Sequence, residues 1–295
     1  MPDDPLTLNP NPVSWAEILS PGGLLAQSLE GFEARPQQVE MAESVKRALE
    51  EARPLIVEAG TGVGKSLAYL LPCALWAAQN GKRVLVSTFT RALQEQLLEK
   101  DLPTVKSALK SLGHDLNYSL LMGSDNYLCV DRLRRAKDAG KEIFEENPPE
   151  DLLKTLADWS AKSSTGLRSK LPCRVPAALW DKVSRDPDLC LAKGGPAAEE
   201  CLYKKDLDRA RKAQIVVVNH HLFFSNLGLG PVDALVFDEA HTLEDAASHF
   251  LGFSLSDRAM ERLLEELYNL ETGRGLVRRL ASKAPDWAEH LEKIL

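Results

Sequence analysis

The stretch Ala59-Gly60-Thr61-Gly62-Val63-Gly64-Lys65-Ser66 predicts a phosphate-binding loop between a strand and a helix. The apolar residues 54–57 before it include β-branched side chains and predict a buried strand. The glycines let the backbone curl so that its N–H groups surround an anion. Lys65 would then reach the β- and γ-phosphates, and the Ser66 hydroxyl would ligate Mg²⁺. The apolar residues 67–71 begin a helix whose N-terminal dipole favours phosphate at the same place.

The general pattern of such a loop is G-x-x-x-x-G-K-[ST], and Ala59 stands at its first glycine position. The alternative is a plain glycine-rich turn between a strand and a helix. A turn has no need of Lys-Ser at its end, so the phosphate-binding interpretation is favoured.

The segment Asp238-Glu239-Ala240-His241 predicts the second half of a nucleotide site. It follows an apolar strand over residues 233–237, and a carboxylate at the C-terminal end of a strand faces the crevice where α/β sheets bind ligands. Asp238 would hold Mg²⁺, directly or through water, and Glu239 would polarise the attacking water. His241 would sense the γ-phosphate or contact a neighbouring motif. The alternative is an acidic helix N-cap.

Composition limits the classes of protein that the chain can belong to. Its 295 residues suggest about two domains, and 44% hydrophobic and 27% charged residues fit a globular protein. No stretch is long enough to cross a bilayer, and the acidic, proline-rich start is unlike a secretory signal, which predicts a cytoplasmic location. The net charge of −7 does not suggest a nucleic-acid binder, but a local basic groove is compatible with it.

Strands and helices alternate along much of the chain, which predicts an α/β fold with a parallel sheet covered on both faces. Residues 1–30 look polar and loop-like. Between residues 124 and 205 prolines, charges and cysteines accumulate, which predicts an insertion into the α/β domain. The predicted strands cover residues 54–57, 83–88, 118–123, 214–220 and 233–237.

Polar residues beside the predicted strands suggest further contacts. Gln38 would contact an adenine edge, with Phe32 or Arg35 stacked on the base; ordinary surface and core positions are the alternative. The side chains of Thr88, Thr90 and Gln94 would donate hydrogen bonds to a nucleic-acid phosphate or sugar. For Thr90, capping of the helix that follows is equally compatible.

The cysteines suggest a metal centre rather than disulfides. Cys73 lies in an apolar helix and is expected in the core. The other four lie in the predicted insertion, where four thiolates match the usual complement of a [4Fe–4S] cluster. Zinc and four unligated thiols are the alternatives, because the spacing is loose and contains no C-x-x-C. The four are Cys129, Cys173, Cys190 and Cys201.

Taken together, these motifs resemble those of the DinG/XPD family of superfamily 2 DNA helicases, on the bacterial DinG side. Residues 31–41 resemble the family's Q-motif, with Arg35, Gln38 and Met41 in the expected positions. Residues 58–66 resemble motif I, residues 87–97 motif Ia, and Asp238 to His241 the DEAH box of motif II. Residues 126–129 and 190–223 resemble the regions around the cluster ligands.

The resemblance implies a fold, a domain order and an activity. It implies a RecA-like P-loop NTPase domain at residues 1–123 and 206–245, an iron–sulfur insertion at 124–205, and the start of a helical arch domain at 246–295. It further implies an ATP hydrolase that moves 5′→3′ on single-stranded or forked DNA, in DNA repair, with ATP, Mg²⁺ and a [4Fe–4S] cluster as cofactors. Basic residues of the insertion would line the path of the strand. These are Arg132, Arg134, Arg135, Arg168, Lys170 and Arg174.

Two departures from the family pattern bear on that activity. Gly195 stands where the family has a cysteine, so either Cys173 substitutes as a ligand through a loop that folds back, or the site holds an incomplete cluster or none. The family's second RecA-like domain, which supplies an arginine finger, has no counterpart in these 295 residues, so the chain alone is expected to bind nucleotide weakly and turn it over poorly. Two alternatives are a nucleotide-gated DNA-binding module without unwinding activity and a P-loop ATPase that acts on a substrate other than nucleic acid.

Overall fold

The computed structural model describes residues 14–28, 31–60, 62–139, 150–187, 190, 199–225 and 228–252, and a few positions between 257 and 287. The chain divides into two compact units, Met1–Ala246 and Ala247–Leu295. The account below concerns the first unit, since most of the second lies outside the described residues. No helix among the described residues is long and apolar enough to span a bilayer.

The first unit combines helices with a four-stranded sheet. Its helices are α1 (Trp15–Ile18), α2 (Leu24–Ser28), α3 (Pro36–Glu50), α4 (Lys65–Asn80), α5 (Arg91–Gln96), α6 (Leu102–Ser111), α7 (Val130–Ala139), α8 (Glu150–Lys162), α9 (Ala177–Val183), α10 (Leu202–Lys212) and α11 (His220–Phe224). A further helix, α12 (Leu243–Leu251), contains the division between the two units. The strands are β1 (Val84–Thr88), β2 (Tyr118–Leu120), β3 (Ile215–Asn219) and β4 (Ala234–Phe237). A π-helical turn, Leu97–Asp101, joins α5 to α6.

The sheet has the order β2-β3-β1-β4, and every neighbouring pair of strands is parallel. β1 and β3 are the two inner strands, and all five residues of β1 are buried. Parallel strands of this kind need helices on both faces, and their sequences are continuous apolar runs rather than alternating ones. The predicted α/β fold with a parallel sheet is therefore confirmed for this part of the chain.

Glycines at both ends of α4 fix its limits. Gly64 precedes it with φ +74°, and Gly81 ends it with φ +62°, donating its backbone N–H to the carbonyl of Ala77. Left-handed backbone of this kind favours glycine. The apolar side chains of α4 contribute much of the main core, which also contains residues of β1, β3 and α6. Because α4 is held so firmly, the position of its first turn is well defined.

Two segments predicted to be buried strands are not fully buried. Leu55, Ile56 and Val57 form no strand among the described residues, and Ile56 is 97% exposed. β4 is an edge strand in the described sheet, with Leu235 48% exposed. The prediction was wrong because an apolar, β-branched run indicates a capacity to pair, whereas pairing itself depends on a distant neighbour.

The N-terminal prediction was also wrong for the described residues. Residues 14–28 were expected to form a loop, but they contain α1 and α2. Trp15, Ile18, Leu19 and Leu25 are buried in the main core. The turn at residues 21–23 separates the two helices, and the apolar residues around it decide the packing.

The insertion has an apolar core of its own, which its weak periodicity did not predict. Leu133, Leu156 and Trp180 are buried there together with residues of α8 and α9. Trp180 Nε1 donates a hydrogen bond of 2.8 Å to the Asp125 carbonyl. The backbone N–H of Cys129 donates to the Val183 carbonyl at 2.8 Å. This part of the chain therefore has a hydrophobic core and hydrogen bonds of its own.

Candidate nucleotide site

The phosphate loop, residues 59–64, turns into α4 through left-handed glycines. Gly62 has φ +79° and Gly64 φ +74°. A Cβ atom at Gly64 would collide with the side-chain amide of Gln38, and the left-handed backbone of Gly64 itself disfavours any residue with a side chain. Lys65 and Ser66 form the first turn of α4, where backbone N–H groups lack intrahelical partners. The loop thus presents the positive end of a helix, as an anion site requires. Thr61 lies outside the described residues.

Two residues at the start of α3 hold this loop through its backbone. Arg35 donates a hydrogen bond to the Gly62 carbonyl and another, of 2.8 Å, to Glu33 Oε2. Gln38 Nε2 donates to the Gly64 carbonyl at 3.4 Å, while Gln38 Oε1 is buried without a hydrogen-bond partner. Arg35 and Gln38 therefore both bind backbone carbonyls of the phosphate loop. The adenine contact that the sequence suggested for Arg35 and Gln38 remains a prediction.

A cavity of about 550 Å³ lies between α3 and the residues around the phosphate loop. Cavities of this size bind cofactors and drug-sized ligands. Lys65, the candidate phosphate-binding residue, is among the residues that line it. Among the other residues that line it are Gln38, Met41, Leu55, Val57, Ala59, Gly60 and Val63.

The two predicted halves of the site meet at one hydrogen bond. Tyr69 Oη donates to Asp238 Oδ2 at 3.0 Å. Tyr69 lies four residues after Lys65, on the same face of α4. Asp238 is 9% exposed, and its backbone N–H donates to the Ser87 carbonyl at 2.9 Å. The end of β4 is therefore held against the first turns of α4.

Tyr69 is suited to be a permanent donor in this contact. Burial raises its pKa well above the ordinary value of 10.0, and the neighbouring Asp238 carboxylate raises it further. Both effects disfavour the phenolate. The hydroxyl therefore keeps its proton and donates a hydrogen bond, which the Asp238 carboxylate accepts.

Asp101 is a second carboxylate at this place, and the sequence analysis missed it. It is 9% exposed, in the π-helical turn, and Gln96 Nε2 donates to its Oδ2 at 3.2 Å. Burial raises the pKa of Asp101, whereas hydrogen bonds from Gln96 and Ser66 lower it. An aspartate between apolar residues, with Leu97 and Leu102 both fully buried, was the available signal. π-Helical turns are frequent at functional sites.

The residues after Asp238 turn sharply. Glu239 adopts left-handed backbone, with φ +61° and ψ +39°, and its carbonyl accepts hydrogen bonds from both the N–H and the hydroxyl of Thr242. The His241 Nε2 and Glu239 Oε2 atoms are 3.8 Å apart, and both side chains are exposed. Glu239 thus presents its carboxylate to solvent, beside the end of the sheet.

The residues predicted to contact DNA differ in their exposure. Thr90 is exposed and caps α5, where its Oγ1 accepts from the Leu93 N–H at 3.2 Å. Thr88 and Gln94 are buried, with exposures of 0% and 1%. Their side chains do not reach the surface in this conformation, so for them direct contact with a strand stays a prediction that requires movement.

Most of the basic residues named in the insertion have partners within the protein. Arg132 donates to the carbonyls of Ser184 and Asp181, both at 2.7 Å, and so joins α7 to α9. The guanidinium of Arg168 lies 5.0 Å from the centre of the Trp180 ring. Arg134, Arg135 and Lys170 pair with Glu200, Asp131 and Glu99 respectively. The side chains of Arg132 and Arg168 thus make contacts within the protein that support its fold.

The described cysteines do not form a metal-binding group. Cys73 is fully buried in the main core, which raises its pKa to about 12. Cys173 packs against the apolar core of the insertion. All four cysteines of the insertion lie among the described residues, yet no three of the described histidine, cysteine or acidic side chains come together. The donor set of a four-iron cluster is not assembled here, and Gly195 lies outside the described residues.

Comparison with known proteins concerns first the part of the chain that contains the phosphate loop. The profile of the DEAD/DEAH box helicase family matches residues 36–138, which include α3, the phosphate loop and α5. These residues therefore form a DEAD/DEAH box helicase domain, and the resemblance to helicases expected from the sequence is confirmed for them.

The chain is also similar to named helicases over most of its length. The chain is 38% identical over 258 residues to the ATP-dependent DNA helicase YoaA of Escherichia coli K12, covering 84% of this chain and 39% of that protein. It is 34% identical over 267 residues to the ATP-dependent helicase DinG of Mycobacterium tuberculosis, covering 84% and 40%. The chain thus spans about two fifths of the length of these relatives.

The chain is also similar to a solved XPD helicase structure, with a TM-score of 0.48 and 18% sequence identity. The match covers 85% of this chain and 39% of that one.

Proposed function

We propose that this chain is the first motor domain of an ATP-dependent DNA helicase. The observation that carries the proposal is the hydrogen bond between Tyr69 and Asp238, because it holds Asp238 against the first turns of α4, the helix that begins with Lys65 and Ser66. ATP bound at the phosphate loop then has a carboxylate beside it for Mg²⁺. The names of the relatives support the same activity.

Each residue of the site has a role in this proposal. Lys65 and the first turn of α4 bind the β- and γ-phosphates, and Ser66 and Asp238 would hold Mg²⁺. Bound there, Mg²⁺ would neutralise charge on the phosphates. Glu239 orients and polarises the attacking water, and His241 responds to the γ-phosphate. Arg35 and Gln38 keep the loop in place through the carbonyls of Gly62 and Gly64.

The finer activity is translocation from 5′ to 3′ on single-stranded or forked DNA. A second motor domain would close over the nucleotide and supply an arginine to the γ-phosphate. The share of the relatives that this chain covers is compatible with such a domain lying outside it. On this view residues 246–295 begin a helical arch, and this chain alone hydrolyses ATP slowly.

A [4Fe–4S] cluster in the insertion rests on the family resemblance alone. Cys129, Cys190 and Cys201 are the ligands that the resemblance implies, with Cys173 as the fourth, and the described structure does not bring three of them together. No step of the mechanism is routed through this group. Iron and acid-labile sulfide measured on anaerobically purified protein decide whether it is present.

ATP turnover measured with and without single-stranded DNA tests the proposal. Phosphate release that rises when single-stranded oligonucleotide is added supports a DNA-dependent motor. Turnover that is indifferent to DNA favours an ATPase with another substrate, and binding of DNA without turnover favours a nucleotide-gated binding module. Because turnover by this chain is expected to be slow, the measurement needs high enzyme concentration and a catalysis-deficient control, Glu239→Gln.

A further inference from the structure

His220, the first residue of α11, connects the two sides of the site, and the proposed function gives it no role. Its side chain is fully buried at the end of β3. Its Nδ1 atom lies 2.7 Å from the Ser87 hydroxyl of β1, which is also buried. Ser87 immediately precedes Thr88, and its carbonyl accepts the hydrogen bond from the Asp238 N–H. A single buried hydrogen bond therefore lies where β1, β3 and β4 all end.

The surroundings of the ring favour its neutral form. Burial lowers the pKa of His220. The nearby backbone of Glu239 and Asp238 raises this pKa, but by less than burial lowers it. The ring centres of Phe89 and Phe237 lie 6.3 and 6.2 Å away. A neutral imidazole has one donor and one acceptor nitrogen, so the hydrogen bond with Ser87 fixes the role of the other nitrogen.

That other nitrogen makes no hydrogen bond of ordinary geometry, although the backbone of Asp238 and Glu239 lies close to the ring. His220 Nε2 is buried without a hydrogen bond, and the same is true of Thr88 Oγ1 and of both amide atoms of Gln94. A buried polar group without a partner is destabilising, so such groups are rare in folded proteins and call for an explanation. We call these three residues the sheet-edge cluster. Thr88 ends β1, His220 directly follows β3, and Gln94 lies on α5, the helix that follows β1.

The neighbouring peptide is strained. Glu239 is one of two described residues other than glycine with positive φ. Left-handed backbone is unfavourable for a residue with a Cβ atom, and it persists where surrounding contacts impose it. An unpartnered ring nitrogen thus lies near a strained peptide that carries the proposed water-polarising carboxylate.

We infer that His220 is a positioning residue that couples the nucleotide site to the DNA-binding face. A strand that binds at α5 shifts the sheet-edge cluster. The hydrogen bond between Ser87 and His220 carries that shift to the backbone of Asp238 and Glu239, and Mg²⁺–nucleotide acts in the reverse direction. The inference rests on the proposed function, and it adds the element through which the two ligands affect each other.

The affinity of the chain for DNA with and without nucleotide tests this inference. The measurement is the Kd of a fluorescent oligo(dT) strand at fixed salt, with and without Mg²⁺ and a non-hydrolysable ATP analogue. The reciprocal Kd of a fluorescent nucleotide is measured with and without DNA, because coupling between two sites must be equal in both directions. For the unaltered chain we expect a shift of about fivefold or more.

Two variants separate the link from the two binding sites. His220→Asn keeps a polar group near Ser87 but removes the second nitrogen, and Ser87→Ala removes the partner of the ring. We expect each to bind either ligand alone within about threefold of the unaltered chain, and to reduce the coupling to less than about twofold. His114→Asn, in the turn after α6, is the matched control and is expected to keep the full coupling.

The possible outcomes are distinguishable. Full coupling in either folded variant overturns the inference and leaves the proposed function intact. Failure of the unaltered chain to bind nucleotide or DNA overturns both. If His220→Asn does not fold, Ser87→Ala decides alone, since it removes only one buried hydroxyl.

Discussion

Tyr69 Oη lies 3.0 Å from Asp238 Oδ2, although the two residues are 169 positions apart in the chain. This contact joins the helix after the phosphate loop to the strand that ends in the acidic segment. It is a hydrogen bond between a hydroxyl that retains its proton and a carboxylate that is nearly buried. The position of Asp238 relative to Ser66 therefore depends on it.

Tyr69→Phe tests this dependence. The variant keeps the ring and removes the donor, so the Asp238 carboxylate loses a charge-assisted hydrogen bond. We expect the free energy of unfolding to fall by about 1–2 kcal/mol and the Mg²⁺-dependent affinity for nucleotide to fall severalfold. Denaturant unfolding and titration with a fluorescent nucleotide measure the two effects. Tyr118→Phe, on β2, is the control, and equal behaviour of the two variants would contradict the assignment.

Arg83 is expected to be a stability residue and not a DNA contact. Its guanidinium donates to the carbonyls of Ala210, Ala213, Leu229 and Pro231, at distances between 2.9 and 3.3 Å. Arg83→Met leaves these carbonyls without their donor, and we expect the free energy of unfolding to fall by about 2–4 kcal/mol. Arg53→Met, at an exposed ion pair with Glu51, is expected to change it by less than about 0.5 kcal/mol.

Denaturant unfolding measures both arginine variants. A loss at Arg83 no larger than the loss at Arg53 would show that the network around Arg83 contributes little to stability.

Asp233 makes the stability of the sheet depend on pH. Hydrogen bonds from the Lys82 side chain and the Arg83 N–H hold the pKa of Asp233 below its ordinary value of 3.8. A carboxyl group whose folded pKa is lowered stabilises the protein above its unfolded pKa, and the benefit is lost as pH falls through the folded value. Unfolding of Asp233→Asn followed from pH 6 down to pH 2 should therefore show a shallower loss of stability below about pH 4 than the unaltered chain. Parallel curves for the two proteins would contradict this.

The insertion is expected to remain folded without metal. Its core contains Leu133, Leu156 and Trp180, and Arg132 joins α7 to α9. Prolonged treatment with an iron chelator should leave the melting temperature of the chain and the protease resistance of the insertion unchanged. Collapse of the insertion on chelation, seen as rapid cleavage between residues 127 and 185, would show that a metal supports the fold.

The sequence predicted those elements whose cause is local. The helix α4 was predicted to follow the glycine-rich loop because left-handed backbone favours glycine, and the apolar run of β3 predicted a buried strand. The sequence analysis did not predict that Leu55, Ile56 and Val57 would be exposed, because pairing depends on a neighbour that is distant in the chain.

The same limit applies to the site. Lys65, Ser66 and Asp238 were predicted because the spacing and residue types of their motifs are specific to phosphate and Mg²⁺. Tyr69, Asp101 and His220 belong to no such pattern in this sequence. Their roles depend on contacts between elements, such as the approach of His220 to Ser87 across 133 positions.

The central claim is that one Mg²⁺–nucleotide bridges Lys65 and Asp238, and equilibrium binding of a fluorescent ATP analogue, with and without Mg²⁺, tests it most directly. The account predicts Mg²⁺-dependent binding by the unaltered chain, a loss of about tenfold or more in Lys65→Ala, and loss of the Mg²⁺ dependence in Asp238→Asn, with both variants folded. Nucleotide binding by both folded variants with unaltered affinity and unaltered Mg²⁺ dependence would contradict it.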